Sequence, residues 1–164
     1  PESEFILSDI RNFNLPPTFD AVLSNDVLLF ILNNEDLTAV FRNVYAAMRD
    51  NGLFVFTIPL TDWLHEAAQN KTFNHVYVND ECSLIELFYY KPEERMWEIQ
   101  VTGFEIVENS WKRLDTTWLR KDHFLAEVQS SLEKVGFTDI NYYNTKDFGG
   151  SEEAGMACFV CRKP

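Results

Sequence analysis

Glycine is scarce in this chain of 164 residues. The chain has six glycines, and none of them lies between a strand pattern and a helix pattern near the start. Phosphate-binding loops need glycines at such a place, because only a residue without a side chain lets the backbone approach the ligand closely. The sequence therefore contains no glycine-rich ligand loop of that kind.

Basic residues are also few. Lysine and arginine total 14 against 26 aspartates and glutamates, which gives a net charge of −12 at pH 7. Affinity for nucleic acid depends on clustered cations that neutralise phosphates, and here the cations are sparse and scattered. We expect no nucleic-acid partner.

Long apolar runs are missing as well. No run approaches the roughly 20 residues that cross a bilayer, and no signal peptide is visible. We expect no membrane partner and a cytoplasmic location. The length is that of a single domain, 1–164, and is sufficient for an ordinary hydrophobic core.

The three cysteines are too few for a disulfide framework. Cys158 and Cys161 have Cys-x-x-Cys spacing, but they lie in the apolar run 156–160 and its continuation, which predicts a strand. Residues three apart on a strand point to opposite faces. We therefore expect buried, unreactive thiols at Cys158 and Cys161 and no metal site.

The segment 19–58 predicts a strand, a helix and a second strand. The two apolar runs at its ends are short and do not alternate, which is typical of parallel strands buried on both faces. Asn33 or Asn34 can cap the helix, and Gly52 can supply a left-handed residue after it. The predicted buried stripe of the helix consists of Leu37, Val40, Phe41, Val44 and Met48. Ligands bind at the carboxyl ends of such strands, here residues 24–26 and 57–59.

Residues 5–7 predict a further short, buried strand. The loop that follows contains Pro16 and Pro17 and has no helix, so it cannot form the crossover between two neighbouring parallel strands. The 5–7 strand must therefore lie elsewhere in the sheet or pair with something absent. We expect a gap between it and the strand that begins at Phe19.

After Pro59, Thr61 can cap a short helix to about residue 69, and residues 70–81 predict a loop. Residues 83–118 predict an inserted antiparallel sheet, since 84–90 is rich in strand formers, 97–101 alternates, and 111–118 can supply a third strand. The alternation of apolar and polar residues shifts by one position after Gly103, which predicts a bulge there. A helix over 121–135, with an exposed His123 in its first turn, and strands over 137–143 and 156–161 complete the chain.

The order of these motifs resembles the second half of class I S-adenosylmethionine-dependent methyltransferases. The match includes Asp9 after a strand, Leu-Pro at 15–16, Phe-Asp-x-Val at 19–22, the capped helix and Asn-Gly-Leu-Phe-Val-Phe at 51–56. It extends through the inserted strands to Gly136 and Phe137, as in the branch that methylates small molecules. The resemblance implies an α/β fold: a Rossmann-like methyltransferase sheet that lacks its first two strands and carries an inserted antiparallel sheet.

The resemblance also implies a cofactor, S-adenosylmethionine, and residues that bind it. Asp9 would accept a hydrogen bond from the adenine amino group, and Ile10 would pack on the ring. Ser24, Asn25 and Asp26 would lie along the sulfonium and amino-acid portion. Asp9 could instead close its own turn, and Asp26 could cap the next turn.

Several residues could bind or activate a methyl acceptor. His65 and His75 are candidate general bases, although a lone surface histidine is the commoner case. Trp63 and Tyr77 could line an acceptor pocket. Arg113 could bind an acidic acceptor, or could belong to a solvated strand edge.

Two functions follow from this pattern. The first is methyl transfer to a small-molecule acceptor by a complete domain, of which this chain would be the last two thirds, with the first third removed, never present or supplied by another molecule. The alternative is a truncated relative without catalysis that acts as an interaction module, with a possible homodimer through an open strand edge. A nicotinamide-dependent enzyme is a weaker third option.

Overall fold

The computed structural model, which describes residues 3–63, 73–150 and 155–164, contains two four-stranded sheets in those ranges. The strands are β1 Phe19–Ser24, β2 Met48–Pro59, β3 Phe73–Val78, β4 Cys82–Lys91, β5 Met96–Val107, β6 Ser110–Lys121, β7 Thr138–Asn144 and β8 Met156–Arg162. The central sheet has the order β1-β2-β8-β7, and the inserted sheet has the order β3-β4-β5-β6. The α-helices of the described part are α1 Asn34–Ala47 and α2 Leu125–Val135.

The predicted strand-helix-strand unit is confirmed. β1 pairs in parallel with β2, and Asn33 caps α1 by accepting a hydrogen bond from the Asp36 backbone N at 2.8 Å. The predicted stripe is buried, although the helix ends at Ala47 and Met48 already belongs to β2. Asn51, not Gly52, takes the left-handed conformation, with φ at 65°.

The prediction that β1 is buried on both faces is wrong. Within the described residues β1 pairs only with β2, so it forms an edge of the central sheet, and Leu23 is 75% exposed. The predicted strand at 5–7 is also wrong: these residues form no strand, and Phe5 and Leu7 are almost fully exposed. An apolar segment becomes a buried strand only where a neighbouring strand and a covering layer exist, and the described part of the chain offers neither. Because residues 5–7 form no strand, the expected gap between two strands stays a prediction.

The inserted sheet is antiparallel, as predicted. It extends beyond residues 83–118 at both ends, because β3 occupies part of the expected 70–81 loop and β6 continues to Lys121. The predicted bulge at Gly103 is wrong, since Gly103 pairs in continuous register with Leu84 and Leu114. The change of phase in the sequence instead places Phe104 on the face opposite Trp97.

The second helix begins later than predicted. Lys121 still pairs with Met96 in β6, and residues 122–124 connect β6 to α2, which starts at Leu125. Gly136 ends α2 in the left-handed conformation, as expected. α2 packs beside α1, and both contribute to a core centred on the stacked rings of Phe56 and Phe159.

All three cysteines are free thiols. Burial raises the pKa of Cys161 to about 12, so its thiol is unreactive near neutral pH. In the described ranges, no helix combines the length and apolar character that a bilayer crossing requires. Those same ranges hold no cluster of three or more acidic, histidine or cysteine side chains suited to a metal ion.

Candidate functional site

A polar cluster lies at the carboxyl ends of β1 and β2. Thr57 Oγ1 accepts a hydrogen bond from the Asp26 backbone N at 2.9 Å and lies 3.3 Å from Asn25 Oδ1 and from Asp26 Oδ1. Asn25 Nδ2 donates to Asp26 Oδ2 at 3.1 Å. Asp26 itself has φ at 53°, a left-handed conformation that these bonds hold in place. The structure thus brings Asn25 and Asp26, which follow Ser24, next to Thr57.

The Asp9 loop lies beside the N-terminus of α1. Asp9 accepts from the Arg11 backbone N at 2.9 Å and pairs with Arg11 Nη2 at 2.6 Å, which lowers the pKa of Asp9 to about 2. Asp9 therefore closes its own turn, and its side chain is still 44% exposed and able to accept a further hydrogen bond. Arg11 Nη1 reaches Asp36 Oδ2 at 3.4 Å, and Asn43 Nδ2 donates to the Ile10 carbonyl at 3.2 Å, so the loop is fixed on α1.

A cleft of 480 Å³ separates the Asp9 loop from the 3₁₀ turn Leu28–Phe30. Its apolar walls come from Ile10 on one side and from Val27, Phe30, Ile31 and Leu32 on the other. Val27 directly follows Asp26, so this wall of the cleft begins one residue after the polar cluster. The volume is that of a small-molecule pocket.

For one residue of this cleft, the position in the structure differs from the position that the sequence predicts. The apolar pattern predicts that Leu28, Leu29 and Phe30 belong to the core, and Leu28 is buried as predicted. Phe30 is 47% exposed and lines the cleft, so its assignment to the core is wrong. A turn of three residues presents side chains in different directions, which an apolar run does not reveal.

His123 lies next to the backbone of a residue that lines the cleft. The predicted exposure is wrong, because His123 is fully buried between the central sheet and the start of α1. Its Nε2 lies 3.0 Å from the Ile31 carbonyl and its Nδ1 lies 3.3 Å from Asn34 Oδ1. Burial lowers the pKa of His123 to about 4, so the ring is neutral at pH 7. No spacing or motif in the sequence distinguishes this histidine from an exposed one.

The residues predicted to bind a methyl acceptor are distributed over the molecule. Trp63 is half-buried against the core, with its ring 6.1 Å from that of Tyr142. Tyr77 is half exposed, and its hydroxyl oxygen accepts from Asn79 Nδ2 at 3.0 Å. His65 lies outside the described residues.

Arg113 and His75 lie on opposite faces of the inserted sheet. Arg113 Nε donates to Asp115 Oδ2 at 2.8 Å on the face that carries Phe104. His75 pairs with Glu86 on the other face, with Nδ1 and Oε2 3.0 Å apart. The structure therefore does not combine the two in one pocket.

The comparisons with known proteins agree with this architecture. Residues 1–56 match the family model described as a methyltransferase domain. A structure of an S-adenosylmethionine-dependent methyltransferase from Clostridium acetobutylicum superimposes with a TM-score of 0.74 at 19% identity, over 96% of this chain and 63% of that chain. The chain has a class I methyltransferase fold.

Other similar proteins show the same partial coverage. DesVI of Streptomyces venezuelae gives a TM-score of 0.72 at 15% identity, over 94% of this chain and 62% of that chain. Carboxy-S-adenosyl-L-methionine synthase of a Psychrobacter species is 31% identical over 142 residues, which are 85% of this chain and 45% of that protein. The chain thus spans less than half the length of this curated relative and under two thirds of these structural neighbours.

Proposed function

We propose that the complete domain to which this methyltransferase chain belongs transfers a methyl group from S-adenosylmethionine to a small-molecule acceptor. The observation that carries the proposal is a 480 Å³ cleft whose wall residue Val27 directly follows Asp26 of the polar cluster. Both lie at the carboxyl end of β1, which is where open α/β sheets bind their ligands.

The two parts of the site match the two ends of the cofactor. The apolar walls formed by Ile10, Val27 and Phe30 suit the adenine ring, and the exposed carboxylate of Asp9 can accept a hydrogen bond from its amino group. Asp26 and Asn25 carry oxygen atoms after the carboxyl end of β1, and these would attract the cationic sulfonium.

The chemistry asks little of the protein beyond positioning. When bound, S-adenosylmethionine supplies an activated methyl group. The chain holds the acceptor in line with that group and excludes water, which accounts for most of the rate in such reactions.

Named neighbours favour a small acceptor. They include an amino pentose methyltransferase from Micromonospora echinaspora, with S-adenosylmethionine bound, and a sugar N-methyltransferase from Streptoalloteichus. Their identities of 14% and 13% establish the shared fold alone. A small-molecule acceptor for this chain is therefore part of the proposal.

Calorimetry with the longest form that the gene encodes tests the cofactor site. S-adenosylhomocysteine should bind, and Asp9→Asn should weaken binding about tenfold through one lost hydrogen bond to a charged acceptor. Asp115→Asn is the matched control, because Asp115 also pairs with an arginine two residues away but lies on the inserted sheet. Absence of binding, or equal weakening by both substitutions, would contradict the proposal.

The open edge of β1 favours a second candidate, an interaction module. β1 leaves one row of backbone groups unpaired within the described structure, and exposes Leu23 beside it. Such edges pair with strands of other molecules. Light scattering should then show a dimer that Leu23→Lys dissociates, and a stable monomer would exclude this candidate.

A further inference from the structure

The two walls of the cleft include segments without regular secondary structure. Ile10 belongs to the loop before β1, and Ile31 and Leu32 belong to the stretch between the 3₁₀ turn and α1. Backbone carbonyls in such segments lack the partners that helices and strands supply, so other donors must bond them. The groups that bond these carbonyls therefore decide where the walls lie.

On one wall, the donor is His123. Its Nε2 lies 3.0 Å from the carbonyl oxygen of Ile31, a residue that is 6% exposed. No backbone N–H of the described ranges bonds to this carbonyl. Because a carbonyl oxygen can only accept, Nε2 must carry the ring proton.

The backbone of His123 is fixed to the central sheet. Its N donates to the Pro59 carbonyl at 3.1 Å, and its carbonyl accepts from the Thr61 N at 2.9 Å. His123 is thus bonded on both sides to the chain at the carboxyl end of β2. Through the ring of His123, the Ile31 wall takes its position from that sheet.

On the opposite wall, the donor is Asn43. Its Nδ2 donates to the Ile10 carbonyl at 3.2 Å from a half-buried position on α1. Phe41 and Val44, which flank Asn43 on the helix, are buried in the core. The Ile10 wall therefore takes its position from α1.

A third contact joins the walls directly, but it is exposed. Asp36 Oδ2 lies 3.4 Å from Arg11 Nη1 and accepts from Asn33 Nδ2 at 3.1 Å. The Arg11 side chain is 47% exposed, and exposed ion pairs contribute little. The more buried bonds of His123 and Asn43 are stronger, because the surrounding dielectric constant is lower.

A flat ligand makes strict demands on the separation of the walls. Carbon atoms attract best at about 3.5–4.0 Å, so a ring in contact with both walls needs them about 7–8 Å apart. A shift of one wall by about 0.5–1 Å loses a quarter to a half of the attraction at each contact. A side chain that holds a wall in place therefore affects affinity without touching the ligand.

We infer that His123 and Asn43 are positioning residues of the cofactor cleft, each of which holds one apolar wall through a backbone carbonyl. The inference rests on the proposed function, because it names the residues that set the width of the adenine site. Neither side chain lines the cleft, so both act through Ile31 and Ile10.

NMR of the longest form that the gene encodes tests the His123 bond without a ligand. The His123 ring should be the Nε2–H tautomer, and an Nδ1–H tautomer would overturn the inference. The carbon-13 signal of the Ile31 carbonyl should move upfield in His123→Met, which has no donor. It should stay in place in His123→Gln, whose Nε2 can donate from nearly the same position.

Calorimetry with S-adenosylhomocysteine tests the effect on affinity. His123→Met and Asn43→Leu should each weaken binding about tenfold, and His123→Gln should stay within about twofold of the native value. Ser131→Ala is the control: Ser131 is 7% exposed and bonds Thr38 of α1 at 3.2 Å, away from the cleft. This variant should lose stability and keep native affinity.

Methylthioadenosine locates the effect within the cleft. This probe carries the adenine ring of the cofactor and lacks the amino-acid part. His123→Met and Asn43→Leu should weaken its binding by the same factor as that of S-adenosylhomocysteine. Unchanged affinity for methylthioadenosine would overturn the inference, because the walls would then not hold the adenine.

The failures are distinguishable. Native affinity in His123→Met, equal losses in His123→Met and His123→Gln, or a loss in Ser131→Ala would overturn the inference. If His123→Met does not fold, Asn43→Leu decides the matter from its half-buried site. Absence of S-adenosylhomocysteine binding in the native protein would contradict the proposed function and with it the adenine role, while the Ile31 carbonyl signal would still show whether His123 holds that segment.

Discussion

The indole Nε1 of Trp97 donates a hydrogen bond to Asp122 Oδ2 at 2.8 Å, and both side chains are buried. Trp97 belongs to the inserted sheet, and Asp122 begins the segment that returns to the central sheet. Arg120 adds a contact of 3.2 Å to Asp122 Oδ1. This bond is therefore a joint between the inserted sheet and the segment that returns to the central sheet.

Trp97→Phe tests that joint. It removes the donor and leaves a buried carboxylate with one fewer partner, which should reduce the free energy of unfolding by about 1.5–3 kcal/mol. Urea denaturation measures the loss. Trp111→Phe makes the same chemical change at a site that is 56% exposed and should shift stability by less than about 0.5 kcal/mol. Equal effects of the two substitutions would contradict the role of the bond.

The lowered pKa of His123 predicts that the protein loses stability in mild acid. Its pKa falls from 6.5 to about 4 on folding, so the unfolded chain binds more protons between these values. The stabilisation is complete above pH 6.5 and should decline by up to about 3 kcal/mol as the pH falls to 4. Asp122 acts in the opposite direction at pH values above 3.8, because burial raises its pKa from that value.

The measurement is the difference between native protein and His123→Gln in denaturation at several pH values. The difference should shrink as the pH falls from 6.5 to 4. Since burial is the main cause of the lowered pKa of His123, added salt should have little effect on how steeply the stability difference changes with pH. A difference that does not depend on pH would contradict the assignment.

Substitution by alanine should affect stability differently at two glycines. A Cβ at Gly52 would lie 2.8 Å from the Arg49 carbonyl oxygen, so Gly52→Ala should cost about 1–3 kcal/mol. At Gly103 the nearest atom is 3.8 Å away and the strand is regular, so Gly103→Ala should be neutral or stabilising within about 1 kcal/mol. Thermal denaturation distinguishes the two, and a large loss at Gly103 would indicate the bulge that the structure lacks.

Thr57 should matter for cofactor binding more than for folding. Thr57→Val removes the acceptor that holds Asp26 in its left-handed turn, and should weaken S-adenosylhomocysteine binding about fivefold, or about 1 kcal/mol. Thr57→Ser keeps the hydroxyl and should retain native affinity. Thr102→Val is the control, because Thr102 bonds Asp115 on the outer side of the inserted sheet. Equal affinity of the Thr57→Val and Thr57→Ser variants, measured by calorimetry, would contradict the role of the turn.

The local part of the fold could be predicted from the sequence. The α1 cap at Asn33, the pairing of β1 with β2 and the antiparallel insertion follow from patterns a few residues long. The meeting of Asn25 and Asp26 with Thr57 follows from the rule for strand ends in parallel sheets.

Features that depend on distant partners could not be predicted. The exposure of Phe5 and Leu23 reflects missing neighbours, which an apolar run cannot reveal. His123 is buried because β6 continues to Lys121 and delays α2, and the helical period alone gave an earlier start. Glu86 has no sequence signal at all, since its pairing with His75 depends on the register of β3 against β4.

The position of β8 has a consequence for how the chain is made. β8 hydrogen-bonds to β2 on one side and to β7 on the other, although both precede it in the sequence. On the ribosome, β7 has no strand beside it until residues 156–162 emerge from the exit tunnel. The central sheet therefore closes late, by insertion of a strand between two that are already synthesised, and until then the edges of β2 and β7 that pair with β8 are open and can be protected by chaperones.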